Sequence, residues 1–141
     1  MNHPRISPYL LYEDVNGALA WLAAAFGFRE RLRFADENGT VTHAEMELGD
    51  GVVMLGDPGP GYRSPKRLGQ STHLVHVYVE DVDAHCARAR KAGATILAEP
   101  EDQAYGDRRY DAEDPEGHRW SFAQHVRDVA PADWGAERAS E

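Results

Sequence analysis

The chain has 141 residues, of which 42% are hydrophobic, and a formal net charge of −9 at pH 7. This length is sufficient for one domain with its own hydrophobic core. The acidic balance excludes the basic surface that phosphate contacts require, so we expect no nucleic-acid partner. No apolar run approaches the roughly 20 residues of a membrane-spanning helix, so we expect no membrane partner either.

Two further features indicate a cytoplasmic location. Cys86 is the single cysteine, so no disulfide can form within the chain, as is usual for proteins of a reducing compartment. The first residues lack the apolar stretch of a secretory signal peptide, which is the pattern of a protein that is not exported.

The first half of the chain predicts a β-α-β-β-β unit. Residues 6–12 are apolar and aromatic, as in a strand. Asp14 is expected to cap a helix whose apolar residues recur at helical spacing and which ends at Gly27. Alternating strands at 28–34 and 41–48 flank an Asn-Gly hairpin turn, and a strand at 52–55 completes the unit.

The second half predicts the same order of elements. Residues 57–70 are rich in proline and glycine and lack periodicity, which indicates a linker or a flexible flap. A strand at 73–79 then leads to a helix capped by Asp81 or Asp83. Three further predicted strands lie at 95–99, 108–112 and 118–123, before a polar tail.

A nearly constant offset relates the two halves. The segment 11–16 matches the segment 78–83, with Asp14 and Asp81 separated by 67 residues. Gly51 and Gly117, which precede the last strand of each half, are separated by 66 residues. We therefore predict an α+β fold of two copies of one module, with any ligand site built from corresponding strands.

The repeated motifs resemble those of a known superfamily. The segments that carry the resemblance are Pro8 to Asp14, Ala25-Phe26-Gly27-Phe28, and Tyr105-Gly106-Asp107-Arg108 through Asp114-Pro115-Glu116-Gly117-His118. Together they resemble the vicinal oxygen chelate superfamily, which comprises the glyoxalase, bleomycin-resistance and extradiol dioxygenase proteins. The resemblance implies two β-α-β-β-β modules that form a curled, half-open barrel with a central cavity, and it implies a homodimer.

This architecture divides the chain into four parts within a single glyoxalase/bleomycin-resistance-like domain at 1–141. Module 1 is expected at about 5–57, the linker at about 58–70, module 2 at about 71–125 and the C-terminal tail at 126–141.

The resemblance also implies metal ligands at matching strand positions, and this sequence departs from that pattern. Counting from Asp14, Asp81, Gly51 and Gly117 places Ser7, Leu74, Leu55 and Ser121 at the four positions. Divalent metals prefer imidazole, carboxylate or thiolate ligands, so we expect no metal and no other cofactor. A remote alternative is a metal site at His43 and Glu45, although a solvated polar strand face explains that pattern more simply.

Strand alternation predicts which side chains face the cavity. The predicted ligand-binding residues are Ser7, Tyr9, Leu11, Leu55, Leu74, His76, Tyr78, Arg119 and Ser121. An apolar, aromatic lining with a few polar points is typical of small-molecule pockets, whereas the competing interpretation is a packed core without a void. His76 is the candidate catalytic acid or base, or else a buried neutral histidine that holds a hydrogen bond.

These expectations favour a metal-free protein of the glyoxalase/bleomycin-resistance type. It would sequester an aromatic or cationic compound in the cavity between the modules. The alternative is a glyoxalase-like lyase or isomerase that uses a displaced metal site or acid–base catalysis by a histidine.

Overall fold

The computed structural model describes residues 1–140 and shows the predicted repeat. The first module contains β1 (Tyr9–Leu11), α1 (Val15–Phe26), β2 (Arg29–Ala35), β3 (Val41–Leu48) and β4 (Gly51–Gly56). A short helix, α2 (Pro65–Leu68), lies between the modules. The second module contains β5 (Val75–Tyr78), α3 (Val82–Lys91), β6 (Thr95–Asp102), β7 (Asp107–Glu113) and β8 (Arg119–His125).

Each module forms its own four-stranded mixed sheet. The strand orders are β1-β4-β3-β2 and β5-β8-β7-β6, and the first strand of each module runs parallel to the last. The two sheets stay separate across residues 1–140, so the fold is α+β and is not a closed barrel. None of the helices in this part of the chain has the length and apolar character needed to cross a membrane.

The helix boundaries follow from local capping chemistry. The Asp14 side chain accepts a hydrogen bond from the backbone N–H of Gly17 at 2.9 Å, and Asp81 accepts one from Ala84 at 3.1 Å. α1 ends at Gly27, which has a φ of 80°, a left-handed conformation that glycine adopts without a steric penalty. The predicted caps and the predicted end of α1 are therefore confirmed.

The two modules share one hydrophobic core, in which α1 packs against α3. The Phe26 ring of α1 lies 4.6 Å from the Phe122 ring and 5.4 Å from the Trp120 ring, both on β8. His85 of α3 bonds through Nε2 to the Phe26 carbonyl at 2.9 Å. Because side chains of each module complete the core of the other, neither sheet buries its helix-facing side alone.

Polar contacts join the modules around Asp114. Its buried carboxylate accepts hydrogen bonds from the Tyr12 hydroxyl at 2.6 Å and from the Trp120 indole at 3.2 Å. Burial raises the pKa of Tyr12 well above its ordinary value, and the nearby Asp114 carboxylate raises it further. The Tyr12 hydroxyl therefore remains protonated and serves as a permanent donor between the modules.

The linker between the modules is docked against both of them. Tyr62 donates from its hydroxyl to the Leu11 carbonyl at 2.8 Å. The Lys66 N–H donates to the Glu116 carbonyl at 2.9 Å. Glu13 accepts from the Ser64 N–H at 3.1 Å and also pairs with Arg67. These contacts, which the residue composition does not reveal, hold the segment against both modules.

We expect Glu13→Gln to reduce the acid sensitivity of the fold. Hydrogen bonds from Ser64 and Arg67 lower the pKa of Glu13 from 4.5 to about 2. Because the folded-state pKa is depressed, the stabilisation is complete above about pH 4.5 and is lost as the pH falls toward 2. Urea melts between pH 6 and pH 3 should show wild type losing more stability than Glu13→Gln, with the two curves converging at the acid end.

The matched control for this prediction is Glu37→Gln, which changes an exposed carboxylate in the hairpin turn between β2 and β3. Its curve should run parallel to that of wild type. If the Glu13→Gln curve also runs parallel to wild type, the contact between Glu13 and the linker does not stabilise the fold.

Candidate functional site

Each sheet packs its helix on one face, and within residues 1–140 much of the opposite face is exposed. The strand register defines this open face. In the first sheet Tyr9 pairs with Met54, which pairs with Glu45. In the second sheet His76 pairs with Ser121, which pairs with Asp111. Paired residues on neighbouring strands lie on the same face of a sheet. Tyr9 therefore lies on the open face of the first sheet, and His76 occupies the corresponding position on the second sheet.

Several of the predicted cavity residues lie on exposed surface. Tyr9 is 52% exposed, Leu74 46% and Tyr78 60%, so none of these side chains fills the core. Leu11 is also exposed. His76 is exposed, and its ring lies edge-on to the Tyr78 ring at 5.0 Å. On both opening strands these side chains alternate with more buried neighbours.

Three other predicted residues contribute less to an open surface. Ser7 is half-buried, and Arg119 is exposed and pairs with Glu113 at 3.1 Å. Ser121 is fully buried, and its hydroxyl oxygen finds no hydrogen-bond partner among the described residues. The register places Ser121 on the face of His76, as predicted, but neighbouring side chains cover it.

The prediction that Leu55 faces the cavity is wrong. Leu55 is 0% exposed and pairs with Leu10 and Ala44 on the helix-packed side of the first sheet. Gly51 and Gly117, the turn glycines of the two modules, are 66 residues apart. Met54, which pairs with Tyr9, and Ser121, which pairs with His76, are one residue further apart. The count from Gly51 therefore ends one residue too far along β4, at Leu55 instead of Met54. A shift of one residue along a strand moves the side chain to the other face of the sheet.

A groove of about 620 Å³ lies where β1, the docked linker and the start of β5 meet. Its lining is mainly apolar and includes Tyr9, Leu11, Tyr62, Leu74, His76 and His118. His118 is buried, bonds through Nε2 to the Leu11 carbonyl at 2.7 Å, and lies 3.3 Å from the Nε2 atom of His73. The size and lining suit a small organic molecule.

Tyr78 lies outside this groove, although the sequence suggested that it would share a cavity with Tyr9. It lines a smaller pocket of about 270 Å³ together with Phe28, Val52 and His76. The Tyr78 hydroxyl donates to Asp107 at 2.8 Å, and this hydrogen bond raises the pKa of Tyr78. His76 borders both pockets, as do Pro8 and Val75.

A hydrogen-bonded chain crosses the open face of the first sheet. The Tyr9 hydroxyl lies 2.7 Å from Nδ1 of His43, whose Nε2 atom lies 3.2 Å from Glu45. Arg31 donates from Nε to the other Glu45 oxygen at 3.0 Å. Burial raises the pKa of Glu45, but the hydrogen bonds from His43 and Arg31 outweigh this and lower it overall. Sequence reasoning identified His43 and Glu45 on one strand face but missed their connection to Tyr9 and Arg31.

Comparison with known proteins assigns the fold to a superfamily. A family model described as the Glyoxalase/Bleomycin resistance protein/Dioxygenase superfamily matches residues 2–122. The chain belongs to this superfamily. The resemblance predicted from the repeated motifs is confirmed by this match.

Relatives of this superfamily member occur in bacteria. It is 39% identical over 131 residues to the uncharacterized protein Rv0887c of Mycobacterium tuberculosis, covering 89% of this chain and 77% of that one. TioX from Micromonospora sp. ML1 is 37% identical, with a TM-score of 0.72, covering 88% of this chain and all of that one. Fosfomycin resistance protein FosX from Mesorhizobium loti, at 16% identity and a TM-score of 0.59, covers 88% and 93% and shares the fold.

The side chains at the metal positions implied by the superfamily do not fit a metal ion. Ser7 and Leu74 stand on the opening strands, and the corrected register puts Met54 and Ser121 on the closing strands. The alternative pair, His43 and Glu45, is engaged in the hydrogen-bonded chain. Within residues 1–140, no three His, Cys, Asp or Glu side chains are grouped closely enough to hold a metal. Imidazole, carboxylate or thiolate ligands are thus missing where the metal chemistry would need them.

Proposed function

We propose that this superfamily member is a metal-free binding protein that sequesters an aromatic or cationic small molecule in the groove between its modules. The observation that carries the proposal is the groove itself, with the exposed Tyr9 ring on one wall and Leu74 and His76 on the other. An exposed aromatic ring beside apolar side chains offers a stacking surface for a flat ligand.

The charge of the protein supports a ligand that carries a positive charge. The chain has a net charge of −9, which attracts cations over distances of about a Debye length. Sequestration needs only that the ligand is buried and stacked against the protein. It therefore fits a site that lacks the side chains needed to bind a metal. The description of the superfamily includes a bleomycin resistance protein, and we propose resistance to a toxic compound by sequestration for this chain.

The catalytic alternative receives less support from the geometry. An acid–base mechanism centred on His76 needs a second group within hydrogen-bond distance to orient the imidazole or share its proton. Among residues 1–140, the His76 side chain has no hydrogen-bond partner, and its nearest aromatic contact is the Tyr78 ring. A binding role for His76 requires no such second group.

We further propose that the protein is a homodimer, because each sheet leaves one face uncovered. Exposed apolar side chains on these faces that lie outside the groove include Phe34 and Tyr78. Exposed apolar patches often mark contacts between protein chains. A second copy that covers it would form a two-fold interface of more than about 1,000 Å².

Native mass spectrometry of the purified protein tests these proposals together. We expect a species of twice the 15.7 kDa chain mass that carries no Zn, Ni, Mn or Fe and retains a small organic molecule on part of the population. Chelator should leave the melting temperature unchanged, since no metal-binding energy is coupled to folding. One tightly bound metal per chain, lost on unfolding, would contradict the proposed function, and a clean monomer would contradict the proposed dimer.

A further inference from the structure

We propose that Tyr9 determines ligand specificity: its hydroxyl oxygen is held as a hydrogen-bond acceptor, so the groove selects aromatic molecules that carry an N–H or O–H donor. This inference rests on the proposed function and names the chemical class of its ligand. The residues that carry it are the chain Tyr9–His43–Glu45–Arg31 and Gly56, which lies under the Tyr9 ring.

In the neutral state of His43, its contacts fix which atom donates. A neutral imidazole has one N–H donor and one acceptor nitrogen. The Nε2 atom faces the Glu45 carboxylate, which can only accept when it is ionised, so Nε2 carries the proton. The Nδ1 atom is then an acceptor, and Tyr9 must donate its single hydroxyl proton to it at 2.7 Å. The outward side of the Tyr9 oxygen is left with lone pairs alone.

Arg31 keeps this polarity in place. Its side chain is only 5% exposed and donates from Nε to Glu45 at 3.0 Å. A second donation, from Arg31 to the Asn2 carbonyl at 2.7 Å, fixes the guanidinium group from the other side. Charge-assisted hydrogen bonds of this kind favour the ionised carboxylate, so Glu45 remains an acceptor toward His43.

Gly56 allows the Tyr9 ring to reach His43. A Cβ atom built on Gly56 would lie 2.6 Å from the Tyr9 ring carbon Cε1 and 3.0 Å from the hydroxyl oxygen. Gly56 pairs with both Leu11 and His43, so it lies between the first strand and the imidazole. Any larger residue at this position would lift the ring from the sheet and break the contact between Tyr9 and His43. Gly56 is therefore a positioning residue for the Tyr9 hydroxyl.

The arrangement places a fixed acceptor beside apolar side chains of the groove. Tyr9 lines the groove with Leu11 and Leu74, which contribute no side-chain polar atoms. A ligand that buries the Tyr9 oxygen without donating to it would leave a desolvated acceptor, which is unfavourable. A ligand that places an N–H or O–H there satisfies the acceptor and retains the stacking contact.

The test compares two probes that differ in one hydrogen-bond donor. We would titrate 2-naphthol and 2-methoxynaphthalene into the full-length protein and follow binding by NMR. A neutral hydrogen bond formed in a buried site should make 2-naphthol bind about five-fold more tightly than its methyl ether. Imidazole ¹⁵N spectra of the same sample should show His43 protonated on Nε2 and unprotonated on Nδ1.

Three variants locate the effect. Tyr9→Phe should remove the preference for 2-naphthol while retaining a ring for stacking, and Gly56→Ala should do the same by displacing Tyr9. Tyr105→Phe is the matched control, because that ring contacts Trp134 and does not line the groove. It should keep the five-fold preference and the wild-type His43 spectrum. If Gly56→Ala fails to fold, Tyr9→Phe alone decides the outcome.

The outcomes separate this inference from the proposed function. If both probes bind equally to wild type, or if the preference survives in Tyr9→Phe, the inference about Tyr9 is wrong although the groove still binds aromatic molecules. If His43 is protonated on Nδ1, the inference also fails. If neither probe binds at millimolar concentration, the proposed aromatic ligand site fails as well.

Discussion

Replacing Asp114 with alanine is expected to lower the free energy of unfolding by about 3–5 kcal/mol, because several buried donors lose their acceptor at about 1–3 kcal/mol each. Asp114 is 5% exposed and accepts from the Tyr12 hydroxyl and the Trp120 indole. It also accepts from the backbone N–H groups of Glu116 and His118, both at 3.0 Å. One carboxylate thus organises the turn before β8 and connects that turn to module 1.

Urea denaturation measures this effect, with two graded variants for comparison. Tyr12→Phe removes one donor and leaves the other three contacts, so it should cost about 0.5–1.5 kcal/mol. Asp50→Ala, at an exposed turn in module 1, should stay within about 0.5 kcal/mol of wild type. A loss below about 1 kcal/mol in Asp114→Ala would mean that water replaces the carboxylate and that the inter-module network does not stabilise the fold.

The sequence predicted those features that depend on local periodicity. Alternation along the opening strands predicted that Tyr9 and His76 lie on the face of their own sheet that is turned away from the helix. The aspartate caps predicted where the helices begin, and Gly27 predicted where α1 ends. Each of these follows from neighbouring residues along the chain, so no knowledge of tertiary contacts is needed. The repeat then gave the arrangement of two modules, because a β-α-β-β-β unit cannot cover its own hydrophobic surface.

The remaining features depend on contacts between distant residues. Leu55 was misplaced because the two modules differ by one residue between the turn glycine and the paired strand position, and no single sequence pattern reveals that shift. The chain from Tyr9 to Arg31 needs all four strands of the first sheet in register. The docked linker depends on Glu13 and Glu116, which are 103 residues apart and are connected by a hydrogen bond.

Tyr9→Ala is expected to weaken the binding of an aromatic ligand about ten-fold or more while leaving the fold intact. Loss of the ring removes stacking worth about 0.5–1.5 kcal/mol in addition to the buried apolar area, and 1.4 kcal/mol corresponds to ten-fold in affinity. Because Tyr9 is 52% exposed, its removal should cost about 1 kcal/mol of stability or less. A ring that filled the core would instead cost about 3–5 kcal/mol on truncation.

Tyr78→Ala provides the matched control. Tyr78 is on the open face of the other sheet and is 60% exposed, so its truncation removes an equally accessible ring. It lines the smaller pocket rather than the groove beside β1. We expect its affinity for an aromatic ligand to remain within about two-fold of wild type, which corresponds to less than about 0.5 kcal/mol.

The most direct test of a ligand groove between the modules is an NMR titration of 2-naphthol into wild type, Tyr9→Ala and Tyr78→Ala. The groove predicts shift changes centred on Tyr9, Leu74, His76 and His118 in wild type, a loss of affinity of at least about ten-fold in Tyr9→Ala, and near-wild-type binding in Tyr78→Ala. Shift changes that lie elsewhere, or equal affinities in all three proteins, would contradict the assignment of the groove as the binding site.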